Sequence, residues 1–373
     1  MQIDFHHAVT YLVARLAGFD HPQATTIAHS AQYVDDATNE GTVRFDNGAQ
    51  YTRIASAHKM LDYKNMDNLA DHFVWLPFHF LPGNNNEPAP AAPAKLSTEQ
   101  YLERCVARPN SPVAQEMMKD VMRRQERPYA LHRLGIASHV YVDTWAHQGF
   151  VGYPHKRNQA KNIRTPLPDR ADGLRDRLKD LFGDVVDNIA GRVVGDVLPL
   201  GHGAVLSFPD QPYLVWSYTN GLGESVKRDN PRDFSEAARQ LFQCFKRYLA
   251  YPRQGEAVFA QDYPLPQAPF DQLDQHLRDF TDDNGDHRHA QWLAAFKRGV
   301  YGFTDCPTYV AKGVGSWKHQ ALGTTQAVDD RAATYPYQPD FLSSDWKRFH
   351  DALQIHRLHV LNELLPRFGL TAA

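Results

Sequence analysis

The stretch GIASHVYVDTWAHQGF, residues 135–150, limits what this chain can fold into more than any other. Few helix breakers stand between Tyr129 and Gln148, and Gly149 supplies a stop, so the segment reads as a helix. His139, Asp143 and His147 then fall at i, i+4 and i+8, one turn above another on a single face. The residues around them are apolar enough to bury that face. Burying ionisable groups without partners costs roughly several kcal/mol. A bound cation would supply the partner; hydrogen bonds from neighbouring helices are the alternative. Ligand type and spacing favour the cation.

The chain has 373 residues, 42% of them hydrophobic, enough for one large core or two domains. Its formal net charge of -3 gives no sign of a strongly cationic nucleic-acid binder, yet permits local basic patches and a phosphate-cleaving site. Cys105, Cys244 and Cys306 are odd in number and widely spaced, neither a disulfide framework nor a thiolate zinc site. Nitrogen and oxygen must therefore hold any metal, and 19 His supply nitrogen. No basic segment followed by a long apolar run opens the sequence, and no apolar run reaches about 18 residues. A cytoplasmic protein without a membrane span is expected; export by a route needing no cleaved signal is the open alternative.

Val9, Leu12, Leu16 and Ala17 set a first helix over 5–18, ended by Gly18. His6 and His7 lie in its first turn, pointing about 100° apart, so one of the two is expected as a ligand. Asp20-His-Pro22 opens a second helix that closes in Asp35 and Asp36. Carboxylates there oppose the helix dipole. A cation would account for them; taken alone, solvation is the simpler account. Residues 43–63 show no clear period. The aromatic segment 71–80, with His72 and His79, reads as a buried loop or short extended piece in which a core histidine is the simpler role.

Residues 82–94 have the composition of a surface loop, an insertion or flap. Ser97 and Gln100 make a capping box, and Ser111-Pro112 starts a helix running to about Arg124. The basic stretch 155–175 reads as a solvated loop that could meet an anionic substrate. His202 stands between glycines, and Asp210 sits in a Pro-Asp-Gln-Pro turn; the two read as a ligand pair. Further helices are expected at 231–250, 270–281, 287–300 and 344–365. Asp282–Asp286 lacks EF-hand spacing and reads as a turn. His350, His356 and His359 are assigned packing and capping roles.

In order, these segments resemble the zinc-dependent phospholipase C superfamily, which includes the fungal single-strand nucleases. The resemblance lies mainly in residues 1–216, and its central His-Asp-His motif is the most specific part. More closely, the segments from His6-His7 through Asp35-Asp36 and from Gly135 to Phe150 look like a bacterial and fungal family of uncharacterised domains. The superfamily resemblance implies an all-α multi-helix bundle with long loops and a cluster of two or three zinc ions. It implies metal ligands at His7 (or His6), Asp36 (or Asp35), His79, His139, Asp143, His147, His202 and Asp210, with Asp143 bridging two ions. Those enzymes also use the amino group of a processed N-terminal Trp as a ligand, whereas here Met1 stands five residues before the first His.

Three readings follow. The first is a metal-dependent phosphoester hydrolase in one helical domain, 1–373, with its metal-site helices in 1–216, an insertion near 82–96 and a C-terminal helical extension over 217–373. Metal-activated water would attack, and Asp36 or Asp35 would take its proton. A phospholipid-type substrate is favoured by the resemblance and by aromatics such as Trp75, Phe78, Phe80, Trp145 and Phe150; a nucleotide or nucleic acid is next, on the basic stretch. The second reading is a non-catalytic structural metal or interaction protein, with a closed coordination shell. The third, a His-Asp phosphohydrolase, needs an adjacent His-Asp pair, and His350-Asp351 stands alone.

Overall fold

The computed structural model describes residues 1–57, 71–91, 95–166, 201–327 and 333–370. The side chain of His72 and residues 167–175 of the basic stretch lie outside the described residues. A π-helical turn, Asp4–Val9, runs directly into α1, Thr10–Ala17, which Gly18 ends in the left-handed conformation. Helix α2, His21–Asp36, is started by a complete capping box between Asp20 and Gln23. A second π-helical turn, Asp71–Trp75, and a short helical piece, Leu76–Phe78, lead to His79, where sequence alone suggests a loop or strand. Then follow α3, Pro112–Arg123, and α4, Ala130–Ala146. The second half contributes α5, Asn230–Gln254; α6, Gln267–Asp279; α7, Gly285–Lys297; and α8, Asp345–His359. No helix among the described residues is long and apolar enough to cross a membrane.

The fold is helix-rich, but the all-α expectation is corrected by two small three-stranded sheets. In the first, β1, Gly41–Phe45, pairs antiparallel with β2, Gln50–Arg53, and parallel with the two-residue β6, Thr334–Tyr335. In the second, β3, Ala160–Arg164, and β5, Ser225–Asp229, flank β4, Val215–Asn220, both antiparallel. Asn47-Gly48 and the loop Gly221-Leu222-Gly223 make the hairpin turns, a short-range signal that helix-period reading passes over. The strands lie on the surface of the helical core, where alternate residues are buried, as at Trp216, Tyr218 and Asn220. Part of the basic stretch is therefore strand β3, and its Arg157 is buried against Glu103 and Glu224.

Helix α4 is buried on all sides from His132 to Ala146, which makes it the axis of the bundle. Helices α2, α3, α5 and α8 pack around it. Its main apolar cluster takes in residues from Met1 to Leu370, so the C-terminal helices share the core of the N-terminal ones. A second cluster joins β1, the end of α2 and α8; a third lies under the β3–β4–β5 sheet. His79 stands between Phe78 of the second cluster and Phe80 of the third.

Gly135 sets the closest contact in this arrangement. A Cβ there would lie 2.3 Å from the Ile27 carbonyl oxygen of α2. Alanine would gain about 1 kcal/mol of helix propensity, but a backbone atom cannot move aside as a side-chain tip can. Gly135→Ala is expected to destabilise the protein by a net 1–3 kcal/mol or about that. Urea unfolding measures it, and an unchanged midpoint would show that the helix contact is not close in solution.

Candidate metal centre

The site is built on α4 and closed by the ends of four other segments. His139 and Asp143 project from one face of α4, and His147 caps its C-terminus. The π-helical turn near the N-terminus carries His6 to the same point, where its ring stacks on His139 at 3.8 Å. Asp35 comes from the last turn of α2, and His79 from the chain leaving Phe78. His202 and Asp210 arrive on two 3-10 turns between the second half of the chain and α4.

Three groups of potential ligand atoms result, each within 4.8 Å of one another: His6, Asp35 and His139; His79, His139 and Asp143; His147, His202 and Asp210. Asp143 is the hub. Its Oδ1 lies 3.3 Å from His6 Nε2, and its Oδ2 lies 3.3 Å from His139 Nε2, 3.6 Å from His79 Nδ1 and 3.5 Å from His147 Nδ1. Asp210 lies 3.4 Å from His147 Nε2 and 3.5 Å from His202 Nε2.

The backs of four imidazoles are tied to main-chain carbonyls. His79 Nε2 donates to Ser56, His139 Nδ1 to Ala31, His147 Nδ1 to His79 and His202 Nδ1 to Leu206, at 2.7–2.9 Å. Each tie fixes the tautomer and leaves the other nitrogen as a lone pair, which is how proteins orient metal-binding histidines. For His79, His139 and His202 that lone pair faces the carboxylates; for His147 it faces Asp210. Leu206 adopts φ 45°, ψ -124° to present its carbonyl, a strained backbone at a site residue. Gly201, beside His202, makes room for the Phe80 ring, which a Cβ would meet at 2.3 Å. Phe80 in turn stacks on His147 at 4.6 Å.

Several buried atoms here make no hydrogen bond within the described protein, among them Asp143 Oδ2 and both ring nitrogens of His6. Such atoms are costly unless something binds them. The residues present therefore fit a metal ion: neutral imidazoles and carboxylates, oriented and uncompensated. Burial lowers His139 and His202 to about 4, and burial together with His139 holds His6 well below the usual range, so these rings are neutral and ready to coordinate at neutral pH. Burial alone would raise Asp143; the charged groups gathered around it, the Met1 amine among them, outweigh that and hold Asp143 ionised, well below the usual carboxylate range. Asp35 is pushed the other way, by removal from bulk water and then by the Asp143 charge.

The Met1 amine lies inside the cluster, 2.6 Å from Asp143 Oδ1 and 3.1 Å from Asp210 Oδ1. Burial opposes its charge, but the two carboxylates raise it to about 11. The chain ahead of His6 is already helical, with the Phe5 and His6 N–H groups donating to the Gln2 carbonyl, which keeps the amine close to that ring.

His7 and Asp36 stand elsewhere. His7 turns toward α7, where its Nδ1 lies 2.8 Å from His289 Nε2. Asp36 accepts from Tyr309 and from Gln32 Nε2, and lies outside the three groups. Of each adjacent pair, His6 and Asp35 are the ones at the cluster. An open cleft of about 670 Å³ reaches the site, lined by Met1, Gln32, Asp35, Asp36, Asp286, His289 and Tyr309 among others. Asp286, His289 and Tyr309 come from the region where the sequence alone shows no function; no spacing pattern links them to the motif on α4.

A buried cluster of histidines and aspartates able to hold metal is thus the defining feature of this helix-rich fold. The chain belongs to a family of unknown function (DUF6765), which it matches over residues 1–364. No curated protein matches it, and no solved structure does.

Two substitutions separate the adjacent histidines. His6→Ala is expected to weaken metal binding by about 100-fold, as loss of a ligand should exceed the 10–100-fold cost of losing an outer partner. His7→Ala is expected to leave metal content unchanged. Elemental analysis of both proteins checks this, and the reverse pattern would move the site to the His7 side. Asp143→Ala is expected to lower metal content most, since it touches every part of the cluster; full metal occupancy in that folded variant would refute the assignment.

Proposed function

We propose that this protein is a metal-dependent phosphoester hydrolase. The observation that carries the reading is the set of three adjoining His/Asp groups, joined through His139 and Asp143 and open to a cleft through Asp35. Sites with several ligand groups at such close quarters suit two or three metal ions, and zinc matches a donor set of imidazole and carboxylate. Bound ions of this kind would supply a water of lowered pKa and positive charge against the phosphoryl oxygens.

The chain's own residues have distinct parts. His79, His139, His147 and His202 would hold metal through nitrogens fixed by their carbonyl partners, with His6, Asp143 and Asp210 completing the set. Asp35, at the cleft edge beside His79 and His139, is placed to take a proton from the attacking water. Asp36 is held by Tyr309 and Gln32 and would position its neighbour.

Access supports catalysis over a purely structural site, because structural sites close their coordination shell. The cleft-lining residues include no Lys or Arg among those described, and three are aspartates. That chemistry suits a phosphoester with a neutral or cationic alcohol group, such as a phospholipid, better than a polyanionic nucleic acid.

Protein purified without added metal or an N-terminal tag is expected to contain two or three zinc ions per chain and to hydrolyse a choline or ethanolamine phospholipid faster than single-stranded DNA. Chelation should abolish the activity and zinc should restore it. Preferential cleavage of DNA would select the nuclease reading; metal-loaded protein inert toward both would favour the structural one.

A further inference from the structure

The outer face of the β3–β4–β5 sheet is a surface the metal centre does not use. In an antiparallel pair, residues directly opposite share a face. Ser217 of β4 stands opposite Arg164 of β3 and Lys227 of β5, and Thr219 stands opposite Lys161 and Ser225. Lys161 and Arg164 are three apart, an odd interval that would put them on opposite faces of a regular strand. The register shifts between them and Asn162 takes φ 54°, so a bulge brings both to one side. The Asn162 amide donates to Thr219 Oγ1 across that bulge, at 3.4 Å. Three exposed cations, Lys161, Arg164 and Lys227, thus span the face, with the hydroxyls of Ser217, Thr219 and Ser225 between them.

None of the three cations makes an ion pair with another described residue. The nearby carboxylates are engaged elsewhere. Glu224 holds Arg157 and Asn220, and Asp229, in the end row opposite Val215, caps α5 by accepting from the Arg232 N–H. Apolar side chains stand at both ends of the face. Val215 is 45% exposed, and Leu222, at the tip of the loop between β4 and β5, is 36% exposed. The aromatic residues of β4, Trp216 and Tyr218, turn inward and stack toward Phe150 beneath the sheet.

We propose that this face docks the protein on an anionic lipid surface. A flat cationic face with apolar side chains at its margins complements such a bilayer: lipid phosphates attract the cations, and the interface accepts Val215 and Leu222. A nucleic acid is matched less well. The described strands present no outward aromatic ring on which a base could stack, and no helix to enter a groove. Docking of this kind needs only charge and apolar contact, so it stands whatever bond the metal centre cleaves.

Sedimentation of the full chain with vesicles, on ice, tests it. The protein should bind vesicles of phosphatidylglycerol and phosphatidylcholine in equal parts, bind phosphatidylcholine alone about tenfold less or weaker still, and be released by high salt. Lys161→Glu, Arg164→Glu and Lys227→Glu combined should weaken binding by about 100-fold, since each cation near such a surface contributes about fivefold. Leu222→Ser should weaken it by about fivefold, as expected for part of a leucine side chain returned to water. These positions are exposed, so the variants should keep the parent's urea midpoint and metal content, and a failure here is distinct from a failure of the metal-site reading. Equal binding to both kinds of vesicle, unchanged binding in the triple variant, or binding of duplex DNA without binding of vesicles would each overturn the proposal. Absence of binding to the anionic vesicles would overturn it too, and would leave the charges as guards against strand-to-strand pairing at the sheet edges.

Discussion

The Asp143 carboxylate, buried at the centre of the bundle, is the group on which the rest of the structure depends. Four imidazoles and an amine come within 2.6–3.6 Å of it. Removing a carboxylate from water costs roughly several kcal/mol unless charge and hydrogen bonds replace the lost solvation. The amine and the imidazoles that reach Asp143 lower the energy of a charge that α4 alone cannot bury. The N-terminal turn, the end of α2, the His79 segment and the turn carrying Asp210 converge there, and the core closes around them.

What makes the convergence rigid is main chain more than side chain. The carbonyls of Ala31, Ser56, His79 and Leu206 hold four rings from behind. The carbonyl of Ala31 can reach His139 because α2 and α4 approach closely at Gly135. Phe80 can cover His147 because Gly201 has no side chain. Small residues and one strained leucine thus set nitrogen positions to a fraction of an ångström, which is what a metal site requires of its supporting shell. Arg288, fully buried against Asp4, ties the N-terminal turn to α7 in the same way.

The second half of the chain gives the site its access. Asp286 and His289 come from α7, and Tyr309 from the segment after it. These residues shape a polar, acidic cleft over a cluster whose ligands all come from the first 210 residues. The division separates chemistry from selection: one part holds the reacting centre, and the other presents the groups a substrate would meet.

Helices were legible where period and caps agreed, as at Asp20 before Pro22 and at Ser97 with Gln100, because capping is local chemistry. The His-Asp-His stripe was legible for the same reason, since spacing on one helix needs no tertiary knowledge. The two hairpins were marked by Asn47-Gly48 and by Gly221-Leu222-Gly223 but carried too little period to stand out among Tyr and Gly residues. The choices within adjacent pairs were not legible at all. His6 and His7 differ by one position, and a π-helical turn, set by packing against α4 and α7, decides which faces the cluster. Asp35 and Asp36 are separated by Tyr309, some 270 residues away, which takes Asp36 for itself. The sequence by itself determined that a buried stripe of metal-binding type would run along a central helix, because that depends only on residue type and helical spacing. Which partners meet the stripe, and what kind of cleft opens on it, the tertiary structure alone decided, because those contacts join segments that no local preference brings together.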